Sequence, residues 1–268
     1  MKNKHQKLNN MKKWILTTLL AAALTTGAAA QQKNPMLVNG MKYIGVPYVA
    51  HTLDQGEAEE LVINCDEVDC TTLVEYVLAE SLSPRQADGD VLESDFADKL
   101  QQIRYRNGKI DGYASRLHYV ADWINNGVRN GFLFDVTAQQ SNYCVPLTLS
   151  YMSSHPQMYH QLAASAQNVT AIRQVEQALN GQSVCYLPKE QLPVKGLPWI
   201  KDGDIIAITT STEGLDVAHM GIAIYVNGRL TLLHASSVEK KVVVSSVALS
   251  QMLKDHDTWT GIRVIRMM

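Results

Sequence analysis

Residues 219–236 read HMGIAIYVNGRLTLLHAS, two apolar-rich runs joined by Asn227-Gly228. An Asn-Gly pair favours the positive φ values of a two-residue hairpin turn, so the runs form an antiparallel pair. With the turn there, Gly221 stands opposite His234, and His219 opposite Ser236. Facing residues share a sheet face, as do residues two apart on one strand. His219 and His234 thus project from one face as diagonal neighbours, roughly 7–8 Å apart at the backbone, within reach of two imidazoles. Met220, Ile222, Ile224 and Val226 form a core stripe on the other face. The small residues beside His219, Gly221 and Ala223, predict a helix lying close against the histidine face.

The strand texture extends outward from this hairpin. SVCYLP (183–188), DIIAITT (204–210), KKVVVSS (240–246) and GIRVIR (261–266) all read as short strands. Helical spacing dominates before residue 183. In VDCTTLVEYVLAESLSP, residues 68–84, Cys70, Leu73, Val74, Val77 and Leu78 recur on one face, and Pro84 ends the run. Asp69 occupies the N-cap position, which puts Cys70 in the first turn. Further helices are predicted over 95–104 and near 169–179, the latter ending at Asn180-Gly181, while residues 42–54 read as a turn segment around Gly45 and Pro47. Helices first, then an antiparallel sheet, is an α+β order.

Lys12 and Lys13, the apolar run Trp14–Ala23 and Ala28-Ala29-Ala30 have the order of a secretory signal peptide, predicted over residues 1–30. The apolar run is too short to span a bilayer, and no cysteine precedes Cys65 to carry a lipid, so no stable membrane anchor is expected. Residues 31–268 then form one exported domain, periplasmic or secreted. Five of the 24 Lys+Arg lie in residues 1–30 and none of the 26 Asp+Glu, so the remainder is acidic. That field disfavours nucleic acid as a partner. The four cysteines, Cys65, Cys70, Cys144 and Cys185, include no C-x-x-C and fit no zinc pattern, so no metal or cofactor is expected. An exported chain can pair two of them, for instance Cys144 with Cys185.

A thiol attacks as thiolate, and an unperturbed cysteine is only slightly ionised at neutral pH. A helix N-terminus and a neighbouring imidazolium both favour the anion. Cys70, His219 and His234 therefore supply nucleophile, base and orienting group. Cys65, five residues from Cys70, is read as structural.

DCTTLVE at residues 69–75, Gly203-Asp204 and HMGIAIYVNGRLTLLHAS together resemble the NlpC-type branch of the papain-like cell-wall hydrolases. GVPY at residues 45–48 also matches and places Tyr48 where that family keeps an active-site tyrosine. The resemblance implies a papain-like fold with Cys70 as nucleophile, His219 as base and His234 as orienter. This chain departs from the pattern in two ways. Thr71-Thr72 replaces Ser-Gly, and Cys70 lies 149 positions before His219, implying a large, mostly helical insertion over about 84–182. With SRLHYVADW at residues 115–123, the motifs resemble the N-acetylmuramoyl-L-alanine amidase subfamily. That implies peptidoglycan or muropeptide fragments as substrate, cut between the muramyl lactyl group and L-alanine. The alternative on the same machinery is a γ-D-glutamyl-diamino acid endopeptidase acting within the stem. Within the insertion, Ser115, Arg116, His118 and Tyr119 are expected to form a substrate wall, with Arg116 gripping a peptide carboxylate in two prongs. His256 carries no reading beyond surface.

Overall fold

The computed structural model describes residues 34–54 and 56–268. The leader expected over residues 1–30 lies outside the described residues. Helix α1 spans Pro35–Met41, with the Asn34 side chain accepting the Met36 amide and Pro35 at the first helical position. Helix α2, Cys70–Leu82, begins at the predicted residue; helices α3 (Glu93–Arg104), α4 (Val120–Arg129) and α5 (Ala166–Leu179) follow. A short helix α6, Leu249–Lys254, comes late in the chain. None of the helices among the described residues is long and apolar enough to cross a membrane.

The strands are β1 (Leu133–Asp135), β2 (Cys144–Pro146), β3 (Ser183–Cys185), β4 (Leu187–Pro188), β5 (Ile205–Thr210), β6 (Val217–Val226), β7 (Arg229–Ser236), β8 (Lys241–Val244) and β9 (Trp259–Met267). All pairings are antiparallel, in the order β1-β9-β5-β6-β7-β8, with β4 also on β9 and β2-β3 as a separate pair. The molecule is α+β, as expected. The hairpin register holds from Val226↔Arg229 to Ile222↔Leu233, and Asn227 and Gly228 adopt φ of 51° and 73°.

Both sheet faces are covered. Leu73, Val74, Val77 and Leu78 of α2 cluster with Ile205, Met220, Ile222 and Leu233, whereas Leu249 and Leu253 of α6 cluster with Ile206, Ile208, Ala223 and Leu232. This corrects the expectation that the thiol-bearing helix lies against the histidine face. Gly221 is small for another reason: a Cβ there would sit 2.6 Å from Leu232 Cγ and 3.0 Å from His234 Cβ. The gap accommodates side chains of the facing strand rather than a helix.

Residues 84–182 are mostly helical but not an appendage. Leu117, Val120, Trp123, Ile124 and Leu133 join the main core, and β1 extends the sheet at β9. Tyr119, Leu149, Met152, Ile172 and Leu179 form a smaller core of their own. Asp216, half-buried just ahead of β6, accepts the Ala121 amide in the first turn of α4 at 2.6 Å. The segment between the two catalytic candidates is thereby tied to the strand that carries His219.

Candidate active site

The start of α2 is fixed by a reciprocal cap. Asp69 Oδ1 accepts the Thr71 and Thr72 amides at 3.0 and 2.8 Å, while the Asp69 amide donates to Thr72 Oγ1 at 2.8 Å. The departure from Ser-Gly thus has a local cause, since Thr72 completes the cap. Thr71 Oγ1 lies 3.9 Å from Cys70 Sγ. Glu75, one turn further along α2, accepts Arg104 Nε at 2.7 Å, and Arg104 Nη1 also donates to Val62 O at 2.6 Å. Both charges are buried, so the pair locks α2 to α3 and to the chain before it.

Cys70 Sγ meets the main chain of Met220, the residue after His219. A register shift between Ile208 and Thr209 leaves an extra residue, Ala218, between Val217 and His219. Bulges of this kind re-aim a side chain next to a site. His219 Nε2 lies 2.7 Å from His234 Nδ1, with ring centroids 5.0 Å apart and planes at 88°. The diagonal pair expected from the hairpin is formed. His234 is buried and His219 half-buried.

Burial decides the resting charges. It pushes the Cys70 thiol up to about 11, helped by the Asp69 carboxylate and only partly offset by hydrogen bonds to Met220 and Thr71. It holds His219 down to about 3, with His234 and His256 adding to the effect, and His234 down to about 4. The helix-start and imidazolium effects that favour a thiolate lose to desolvation here, so Cys70 rests as a thiol and His219 and His234 rest as neutral imidazoles.

Tyr48 is half-buried, hydrogen-bonded at its amide to Lys240 O at 2.9 Å and bridged to Val68. Burial, then the nearby Cys70 and Asp69, raises its phenol and keeps the hydroxyl protonated. Two further residues beside His219 escaped the sequence reading. The Trp259 ring stacks on His219 at 5.9 Å and 7°, and His256 stacks on Trp259 at 3.8 Å and 8°. They stand roughly forty residues beyond His219, and only the β5–β9 pairing brings them to it.

Gly203-Asp204 is structural. Asp204 takes a two-pronged grip from Arg266, 2.7 Å at each oxygen, and accepts the Lys201 amide at 2.8 Å. Gly203 has φ of 83°, and a Cβ there would meet Asn34 Oδ1 at 2.1 Å. Of the expected substrate wall, Tyr119 instead lies in the smaller core, donating to Glu176 Oε1 at 2.7 Å and accepting the Met152 amide at 3.1 Å. Ser115 closes a turn, its hydroxyl donating to Gly112 O at 2.7 Å. His118, held neutral by burial, bonds Tyr113 O at 2.9 Å. Arg116 is buried 3.1 Å from Glu59 and 3.6 Å from Asp54, over the Tyr113 ring. Its grip is turned on the protein's own carboxylates. Cys144 and Cys185 face each other in the β2–β3 register and are disulfide-bonded, while Cys65 and Cys70 are free.

A search of curated proteins finds no match. Among solved structures, the chain is similar to an N-acetylmuramoyl-L-alanine amidase from Bacteroides uniformis at 70% identity, covering 87% of this chain and 98% of that one with a TM-score of 0.86. A protein described as a putative xylanase from Bacteroides fragilis is 60% identical, covering 86% of this chain and 100% of that one with a TM-score of 0.83. A Legionella pneumophila protein at 22% identity, covering 87% of this chain and 88% of that one with a TM-score of 0.64, shares the fold. The profile of the AmiA-like family, described as N-acetylmuramoyl-L-alanine amidase-like, matches residues 39–262. The chain belongs to that AmiA-like family.

Proposed function

We propose that the chain is an exported, metal-independent cysteine amidase of the papain-like NlpC type. It hydrolyses the amide between the muramyl lactyl group and L-alanine in peptidoglycan or its fragments. The observation that carries this reading is the 2.7 Å His219–His234 contact together with Cys70, in the first turn of α2, meeting the main chain of Met220, the residue after His219. Family membership and the amidase description of the 70% identical structure support the choice of bond.

With Nε2 of His219 engaged by His234, Nδ1 is the nitrogen left to take the thiol proton. The sulfur attacks the lactyl carbonyl carbon and its electrons move onto the oxygen. Asp69 occupies the Thr71 and Thr72 amides, which leaves the Cys70 N–H as helix-start donor to that oxygen, with the Tyr48 hydroxyl as the second. Protonated His219 then delivers its proton to the alanine nitrogen as the C–N bond breaks, leaving a thioester. Water, deprotonated by His219, releases the muramyl acid and restores the thiol. A neutral pair suits this route, because charge forms only as substrate reacts.

The xylanase description of the 60% identical structure calls for different chemistry. A glycosidase needs two carboxyl groups flanking the bond, and Asp69, beside Cys70, is committed to capping α2. Cys70→Ala tests the reading: it should remain folded and lose essentially all turnover, whereas EDTA should leave the unsubstituted chain active. Full activity in Cys70→Ala would refute the mechanism.

A further inference from the structure

Strand β6 starts from a turn that the segment between Cys70 and His219 holds at two points. Gly214 O accepts the Ser150 and Tyr151 amides at 3.1 and 3.0 Å, and Leu215 packs against the smaller core. Gly214 has φ of 75°, and a Cβ there would meet Ser150 Oγ at 2.5 Å and the Tyr151 nitrogen at 2.7 Å, so glycine lets the two segments touch. The second hold is Asp216, whose Oδ2 accepts the Ala121 amide at 2.6 Å and whose Oδ1 accepts the Val217 amide at 2.9 Å. We propose that Asp216 is a positioning residue for the base: it fixes the first residues of β6 against the start of α4, and so aims His219. The assignment rests on the hydrolase reading above, in which His219 moves the proton.

Helix α4 needs what Asp216 supplies. Tyr119, at its N-cap, makes no side-chain cap bond, so the amides of the first turn look outside the helix for an acceptor. Asp216 meets that demand from 95 positions away, with a charge of the sign that a helix start favours. Asp122, in the same turn, is bound to Arg106 instead. Holding the carboxylate has a cost: desolvation raises its pKa, and the Ala121 amide and the Arg263 charge on β9 only partly offset it. An apolar residue would fill the space without that cost. It could not bond two amides on different elements at once.

The place of these bonds matters because the strand register breaks just beyond them. Val217 pairs with Thr209 and His219 with Ile208, which leaves Ala218 as the extra residue. A bulge bends its strand and sets the direction of the side chains next to it. The Val217 amide, bonded to Asp216, pins one side of this bulge, and the Met220 main chain, in contact with Cys70, pins the other. His219 stands between the two pins.

The test compares Asp216→Ala and Asp216→Asn with the unsubstituted full chain, below the melting transition of each so that only folded enzyme is read. On one defined muropeptide, kcat should fall about tenfold or more in Asp216→Ala while KM stays within about twofold, because a misaimed base slows the chemical step without loosening substrate. Asp216→Asn keeps one acceptor of the two and should lie between. NMR of the chain labelled with 15N-histidine reads the His219–His234 hydrogen bond without substrate, and those signals should shift or broaden in Asp216→Ala. A kcat within about threefold of the unsubstituted value, a rise in KM alone, or unchanged histidine signals would overturn the proposal, even with a lowered melting temperature, and leave Asp216 a structural residue. If Asp216→Ala does not fold, the same two readouts on Asp216→Asn decide. The histidine signals need no turnover, so full activity in Cys70→Ala would refute the hydrolase mechanism and leave this readout standing.

Discussion

His219 Nε2 and His234 Nδ1 lie 2.7 Å apart, and this contact dictates where each proton sits. If His219 accepts the thiol proton at Nδ1, its Nε2 must carry hydrogen and donate to His234 Nδ1. His234 must then stay neutral to accept, and burial holds it so by lowering its pKa to about 4. His219→Ala should therefore lower kcat by about 10²–10⁴-fold, the contribution of a positioned base. His234→Gln keeps an acceptor, so its loss should stay within the ~10- to 150-fold of one hydrogen bond to a charged group. Steady-state kinetics on one muropeptide checks both; equal and total loss would mean that His234 does more than orient.

The resting thiol should resist alkylation near neutrality. Burial puts its ionisation at about 11, so the iodoacetamide rate at Cys70 should climb through the alkaline range. Mass-spectrometric labelling from pH 6 to 10 tests this. A plateau below pH 7 would reveal a preformed thiolate–imidazolium pair instead.

Acid should unfold the chain through its desolvated histidines. His118, His219 and His234 all have folded pKa values below the usual 6.5, to about 3 for His219 and about 4 for His234. The unfolded chain then binds protons that the folded chain refuses, so stability falls as pH drops from 6.5 toward 4. His234→Gln should flatten the decline of Tm over that window; an unchanged slope would exclude His234 as a contributor.

Arg116 faces Glu59 and Asp54 from a buried position. Removing it strands two carboxylates, which typically costs about 3–5 kcal/mol, or roughly 6–20 °C in Tm at this size. Arg116→Ala should thus melt far lower, and Arg116→Lys should recover part. A rise in KM with an unchanged melt would restore the substrate grip that the SRLHYVADW segment suggests.

What the sequence disclosed and what it hid follow from the range of each interaction. The Asn227-Gly228 turn sets a register of ten nearby residues, which was enough to bring His219 and His234 together. Asp69 and Cys70 are read from a local cap. Helix α1 was missed because Gly40 interrupts a seven-residue stretch, although Asn34-Pro35 is a start signal; a Cβ at Gly40 would meet Leu233 Cδ2 at 2.6 Å. The face taken by α2 was misassigned because a small residue shows that something approaches, not what. Trp259 was invisible at the site because its stacking on His219 depends on strand pairing across the sheet.

The most direct measurement is mass spectrometry of one purified muropeptide after digestion. The account predicts two products, a saccharide ending in free muramic acid and an intact stem peptide with a free L-alanine amine, both absent with Cys70→Ala. A sugar–dipeptide with a shortened peptide, or unchanged products from Cys70→Ala, would contradict it.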